Sequence, residues 1–179
     1  MRSSQRLASS GLRGPGIILG VGLGGFVDGI LLHQVLQWHH LLSSTGSDNV
    51  GIRRYPTDTV PGLRINTLWD GIFHVVTWVA VLGGLALLAA RVTDGRARLV
   101  RSRALWGWAL VGWGLFNLVE GVLDHHVLGI HHVHGGPWQL WWDIGFLLLG
   151  VVLLAVGLLL ARTGVGAAPG PAPGAGRPG

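Results

Sequence analysis

Residues 26–40 read FVDGILLHQVLQWHH, and 92 residues later residues 118–132 read LVEGVLDHHVLGIHH. Aligned without a gap, eight of the fifteen positions are identical, three of the eight are histidine, and Asp28 stands opposite Glu120. The match runs back through Gly20, Gly22 and Leu23, which face Gly112, Gly114 and Leu115. A weaker echo follows each copy: Trp69, Asp70 and Phe73 match Trp142, Asp143 and Phe146. A chain that repeats itself in this way is read as two related halves, each carrying carboxylates and histidines on apolar segments.

Those segments are long. With 49% apolar and only 12% charged residues in 179, the chain is neither an ordinary soluble domain nor a disordered one. Four apolar runs, 16–38, 68–90, 104–126 and 140–161, each reach the roughly 20 residues that cross a hydrocarbon layer of about 30 Å. The sequence therefore predicts an all-α protein, a four-transmembrane-helix bundle built from two parallel two-helix repeats. A repeat with an even number of crossings enters the membrane from one side, so its two copies share an axis along the membrane normal. Repeat one covers 16–90 and repeat two 104–162. Residues 1–15 read as a flexible N-terminal arm, and 163–179, rich in Gly, Pro and Ala, as a disordered tail.

All thirteen basic residues are arginine. Arg2, Arg6, Arg13, Arg91, Arg96, Arg98, Arg101, Arg103, Arg162 and Arg177 fall on one side of the predicted spans, against Arg53, Arg54 and Arg64 on the other. Positive residues stay inside, which predicts a multi-pass plasma-membrane protein with both termini cytoplasmic. The first run holds an acid and ends in WHH rather than a small-residue cleavage site, so it is read as a retained span. The net charge of +5 is then explained by topology-setting arginines at the lipid surface. The partner it implies is the lipid bilayer, not nucleic acid, because no basic stripe is interleaved with exposed aromatics. The outer connection over 41–66 is long and rich in turn formers, whereas its counterpart over 133–137 is short. Glycines 16, 20 and 24 recur every four residues on one helix face, a pattern that lets helices approach closely in lipid. Trp38, Trp69, Trp138, Trp141 and Trp142 sit where an interfacial aromatic belt belongs.

With that topology the ionisable residues gather at one end of the bundle. His33, His39 and His40 close the first span, Asp70 and His74 open the second, Asp124, His125, His126, His131, His132 and His134 close the third, and Asp143 opens the fourth. Asp28 and Glu120 lie deepest. Acids and histidines inside a membrane are costly and by default functional, and imidazole with carboxylate is the donor set for iron, zinc, manganese or copper(II). Cysteine is absent and the only methionine is Met1, so any metal is held by nitrogen and oxygen. The reading is a transition-metal site of one or two ions near the extracytoplasmic face, for redox or hydrolytic chemistry or for metal handling, including delivery to another membrane complex. The inner set is His33, His74, His125, Asp28, Asp70, Glu120 and Asp143. His39, His40, Asp124, His126, His131, His132 and His134 are outer ligands or orient the inner ones. Two other readings compete: a proton or metal-ion transporter with Asp28 and Glu120 as relay groups, and a polar plug that only fixes helix packing.

One geometric difficulty follows from α-helical winding. At about 100° per residue, Glu120, Asp124 and His131 form one stripe, while His125 and His132 form another more than a quarter turn away. Either the helix ends near Gly129 and the HHVH segment folds back, or one stripe supplies ligands and the other supports them.

At LHQVLQWHH, NTLWDGIFH, GWGLFNLVEGVLDHHVLGIHH and WDIGF the chain closely resembles a family of predicted bacterial membrane proteins, domain of unknown function 2243. The resemblance covers about residues 16–160 and implies a four-helix integral membrane protein, with no activity attached. Histidine clusters of membrane desaturases, which hold two irons, are similar in kind, but their HxxHH spacing differs from the HxxxxxHH found here. Bis-histidine haem ligation is a weaker reading, because a haem pocket does not need four acids.

Overall fold

The computed structural model describes residues 2–43, 55–94 and 103–163. It is helical throughout its long elements: α1 (Arg2–Phe26), α2 (Val60–Thr93), α3 (Arg103–Glu120) and α4 (Gln139–Thr163). The ends of α1 and α3 continue without a break into π-helix, over Val27–Val35 and Gly121–Val127. Residues 2–15, expected as an N-terminal arm, are wound as the first turns of α1. Helix α2 starts at Val60 rather than near residue 68, because Pro61 fits its first turn and the Thr59 hydroxyl accepts a hydrogen bond from Gly62 N at 3.3 Å. The tail over 164–179 and most of the long outer connection, 44–54, lie outside the described residues.

The helices stand in a row, α2 against α1, α1 against α3 and α3 against α4. Glycine sets the spacing along the central pair. A Cβ at Gly16 would meet Trp108, at Gly20 the backbone of Ala109, and at Gly24 the Trp113 ring, while one at Gly112 would meet the backbone of Ile17. Residue numbers rise together along this contact, so α1 and α3 run parallel. Gly22 and Gly84 serve the antiparallel α1–α2 contact, against Val81 and Leu19, as Gly107 and Gly114 serve α3–α4 against Ala161 and Gly150. Without side chains at these positions the backbones approach closely enough for dispersion contacts, the main source of helix association in lipid.

Three described stretches, Gly11–Val35, Val60–Thr93 and Gln139–Arg162, are long and apolar enough to cross a membrane. Helix α3 is not one of them, in contrast to the expected four. Its glycines, together with Asn117 and Glu120, dilute its hydropathy, and all of these face protein because α3 is flanked by α1 and α4. The outer helices carry the opposite pattern: Val75, Val76 and Val79 on α2, and Leu148, Val151 and Val152 on α4, are exposed apolar side chains, as lipid-facing surface requires. Leu12, Leu19, Leu88 and Ala104 form a buried apolar cluster at one end of the row. The polar residues are at the other.

Candidate metal centre

The π-helical ends decide how the polar residues meet. In α winding, positions five apart are separated by about 140°, so Asp28 would face away from His33 and Glu120 from His125. The wider i→i+5 winding turns each pair toward a common side. His33 Nε2 lies 3.1 Å from Asp28 Oδ2, and His125 Nε2 lies 3.1 Å from Glu120 Oε1.

Each π segment is then closed in the same way. Leu36 N donates to Leu31 O and Trp38 N to Leu32 O; 92 residues on, Leu128 N donates to Leu123 O and Ile130 N to Asp124 O. The chain reverses through a left-handed residue, Gln37 at φ 50° in one half and Gly129 at φ 57° in the other. Of the two ways to accommodate both stripes of the third span, the chain takes the fold-back at Gly129. Glycine adopts this conformation freely, whereas other residues are strained in it by about 1–2 kcal/mol. Gly129→Gln is therefore expected to lower stability by about 1 kcal/mol, and Gln37→Gly to leave the melting temperature of the purified protein unchanged or raised.

The reversal carries His39 and His131 back into the middle. They are among the most buried residues, at 4% and 0% exposure, and their rings stack 4.8 Å apart and 5° from parallel. His33 packs edge-on to His39 at 4.4 Å and His125 edge-on to His131 at 4.9 Å. The halves hold each other's rings: His39 Nδ1 donates to Val133 O at 2.9 Å, and His131 Nδ1 donates to Leu41 O at 3.1 Å. That fixes both tautomers and leaves both Nε2 atoms facing inward as lone-pair donors, the arrangement typical of a metal-ligating imidazole. Burial, and then His131 and His33 beside it, push the His39 imidazole far below its ordinary pKa, so that it stays neutral. His131 Nε2 lies 2.6 Å from Glu120 Oε1, a contact that needs a proton or a cation between the two atoms.

Two carboxylates brace this group from α2 and α4. Asp70 accepts from His33 Nδ1 at 3.0 Å, His40 Nδ1 at 2.5 Å, Leu41 N at 2.9 Å and Gln34 Nε2 at 3.3 Å. Asp143 accepts from His132 Nδ1 at 2.7 Å and Val133 N at 3.0 Å, and lies 3.3 Å from His125 Nδ1. Both are about 1% exposed. Asp70 and Asp143 thus orient histidines, while Asp28 and Glu120 face the ring edges.

His33, His39 and His131 offer nitrogens within 4.8 Å of one another, and Glu120, His125 and His131 form a second such trio. Ligands about 2.1 Å from one ion are at most about 4.2 Å apart, so small side-chain shifts bring either trio to bonding distance. His131 belongs to both. His74, from the expected inner set, turns its Nδ1 to Asp70 O of its own helix at 2.7 Å and joins neither trio. His126 is exposed, and Asp124 is half-buried beside Glu120 on a groove between helices. His134 packs on Trp38 and Trp142 at 5.3 and 5.8 Å, and its Nδ1 donates to Gly135 O.

Asn66 was not singled out by sequence reasoning. Fully buried, it accepts from Leu42 N and donates to Tyr55 O and Gly62 O, pinning the outer connection to α2. A signal was present: Asn66, Asp70 and His74 recur every four residues, one polar stripe on an apolar helix.

A family model described as "Predicted membrane protein (DUF2243)" matches residues 15–164, which include every element of this centre. The chain belongs to the DUF2243 family. No curated protein and no solved structure matches it. The DUF2243 match agrees with the membrane character of the helices.

Proposed function

We propose that this DUF2243 protein holds a two-ion transition-metal centre in the membrane, with His33, His39 and Asp28 on one side, Glu120 and His125 on the other, and His131 shared. The observation that carries the reading is where hydrogen-bonding capacity goes unused. Among the described residues, seven buried side-chain nitrogen or oxygen atoms make no well-formed hydrogen bond, and six of them are in this group: Asp28 Oδ2 and His33 Nε2, which lie 3.1 Å apart, both ring nitrogens of His125, 3.1 Å from Glu120 Oε1 and 3.3 Å from Asp143 Oδ1, and His39 Nε2 and Glu120 Oε2. Buried polar atoms are almost always satisfied, and an unsatisfied one costs about 1–3 kcal/mol. A polar plug would have aligned these contacts as hydrogen bonds and satisfied His39 Nε2 and Glu120 Oε2 as well. Imidazole nitrogens and acid oxygens turned toward one another, with the Nδ1 atoms of His33, His39 and His131 tied elsewhere, are instead what a divalent cation needs.

The donor set is nitrogen and oxygen only, which suits iron, zinc, manganese or copper(II). Bound there, such ions supply Lewis-acid or redox chemistry, or are held for transfer to another membrane complex. A path through the protein is disfavoured by the Leu12, Leu19, Leu88 and Ala104 cluster, which fills the opposite end. The arginine asymmetry supports both termini inside and the centre at the extracytoplasmic end of a bacterial plasma membrane, with α3 crossing beside its parallel neighbour α1.

Elemental analysis of the detergent-purified protein, with its visible spectrum, tests the reading. About two equivalents of a transition metal are expected, lost on chelation. Protein that stays metal-free after incubation with each of the four ions would overturn it, and a Soret band would replace it by haem.

A further inference from the structure

Two apolar grooves of about 310 and 330 Å³ open on the helix flanks and end at the deep acids, one at Asp28 and the other at Glu120. The first runs between the lower part of α1's π segment and α4, and its walls differ from those of the second. Four aromatic rings, Trp38, Trp113, Trp142 and Phe146, stand among aliphatic side chains there, with Asn117 and Asp28 also lining the groove. Asn117 is 1% exposed, and its Oδ1 is the one unpartnered buried atom outside the histidine group among the described residues. The groove opens among exposed Leu31, Leu149 and Trp142. With the helices crossing the membrane and Trp38 and Trp142 at its outer interface, that opening would admit an occupant from the bilayer.

We propose that this groove binds the head of a membrane quinol. Its four aromatic rings favour a flat ring through offset or edge-on packing, and the aliphatic side chains beside them suit the apolar tail of the same molecule. The Asn117 and Asp28 oxygens are acceptors, which calls for a donor, and a quinol carries two phenolic hydroxyls joined to an apolar tail that remains in lipid. A volume of about 310 Å³ is at the lower end for small-molecule sites, enough for a single substituted ring. The proposal rests on the metal-centre reading only in sharing Asp28, and the two are measured separately.

Decylubiquinol is titrated, under reducing conditions, into the full-length protein in lipid nanodiscs, and bound quinol is counted against empty nanodiscs. One saturable equivalent is expected. Asn117→Leu removes the acceptor, and Gly145→Leu fills the groove from α4 at a position where a Cβ meets nothing within 4 Å; each is expected to weaken binding at least tenfold. Metal content is measured on the same samples and is expected to be unchanged, so a failed metal reading and a failed quinol reading give different results. Uptake no greater than that of empty nanodiscs, wild-type binding by Gly145→Leu, or equal displacement by dodecanol would each overturn the proposal.

Discussion

His131→Ala is expected to abolish metal binding at both ions, whereas His74→Ala leaves the metal content at the wild-type level. His131 is the single residue common to the two donor trios, and its Nε2 is directed at Glu120 Oε1 while its Nδ1 is tied to Leu41 O. Losing an outer supporting group typically lowers metal affinity roughly 10–100-fold; losing a shared ligand should exceed that. His74 is an equally good ligand by residue type and lies on the right helix, but its Nδ1 is committed to the Asp70 carbonyl at 2.7 Å. Metal-to-protein ratios of the two variants after identical loading check the contrast. Wild-type stoichiometry in His131→Ala would dismiss the shared-ligand arrangement.

Asp70→Ala is expected to be the most destabilising single change in the protein. The carboxylate is 1% exposed and accepts from two imidazoles, a backbone amide and a glutamine amide. Removing one partner of a buried charged network typically costs about 3–5 kcal/mol, since the groups left behind stay buried without acceptors. For a chain of this size that corresponds to a fall in melting temperature of roughly 10 °C. Asp143→Ala, which removes the bonds to His132 and Val133 N and the 3.3 Å contact with His125 Nδ1, should cost less. Thermal unfolding of both variants in detergent ranks them, and an equal or reversed order would show that the α4 carboxylate carries more of the network than its hydrogen bonds indicate.

The gathering of histidines and acids at one end was legible from the repeat and the span boundaries, because both depend on apolar run length and on register. The glycine contacts were legible too, from the spacing of Gly16, Gly20 and Gly24. The sorting of inner from outer residues was not. It depends on π winding over Val27–Val35 and Gly121–Val127, and apolar patterning does not distinguish that winding from α when the same residues remain buried. At α pitch, Glu120 and His131 share one stripe and His125 lies on another. The wider winding and the reversal at Gln37 and Gly129 bring His39 and His131 inward, while His74, on α2, turns its Nδ1 to the Asp70 carbonyl. A sequence cue existed in the five-residue interval from acid to histidine, repeated in both halves, which suits i→i+5 geometry and no α-helical face. Asn117, three residues before Glu120 on the same face of α3, could have been found by the same stripe argument.

The crossed bonds from His39 to Val133 O and from His131 to Leu41 O mean that neither hairpin is finished without the other. Severed between α2 and α3, each fragment would expose a ring nitrogen and a carbonyl whose only mates sit on the missing piece. Assembly of the outer end is thus conditional on both hairpins being inserted, and the protein cannot present its donor atoms until translation of the second is complete.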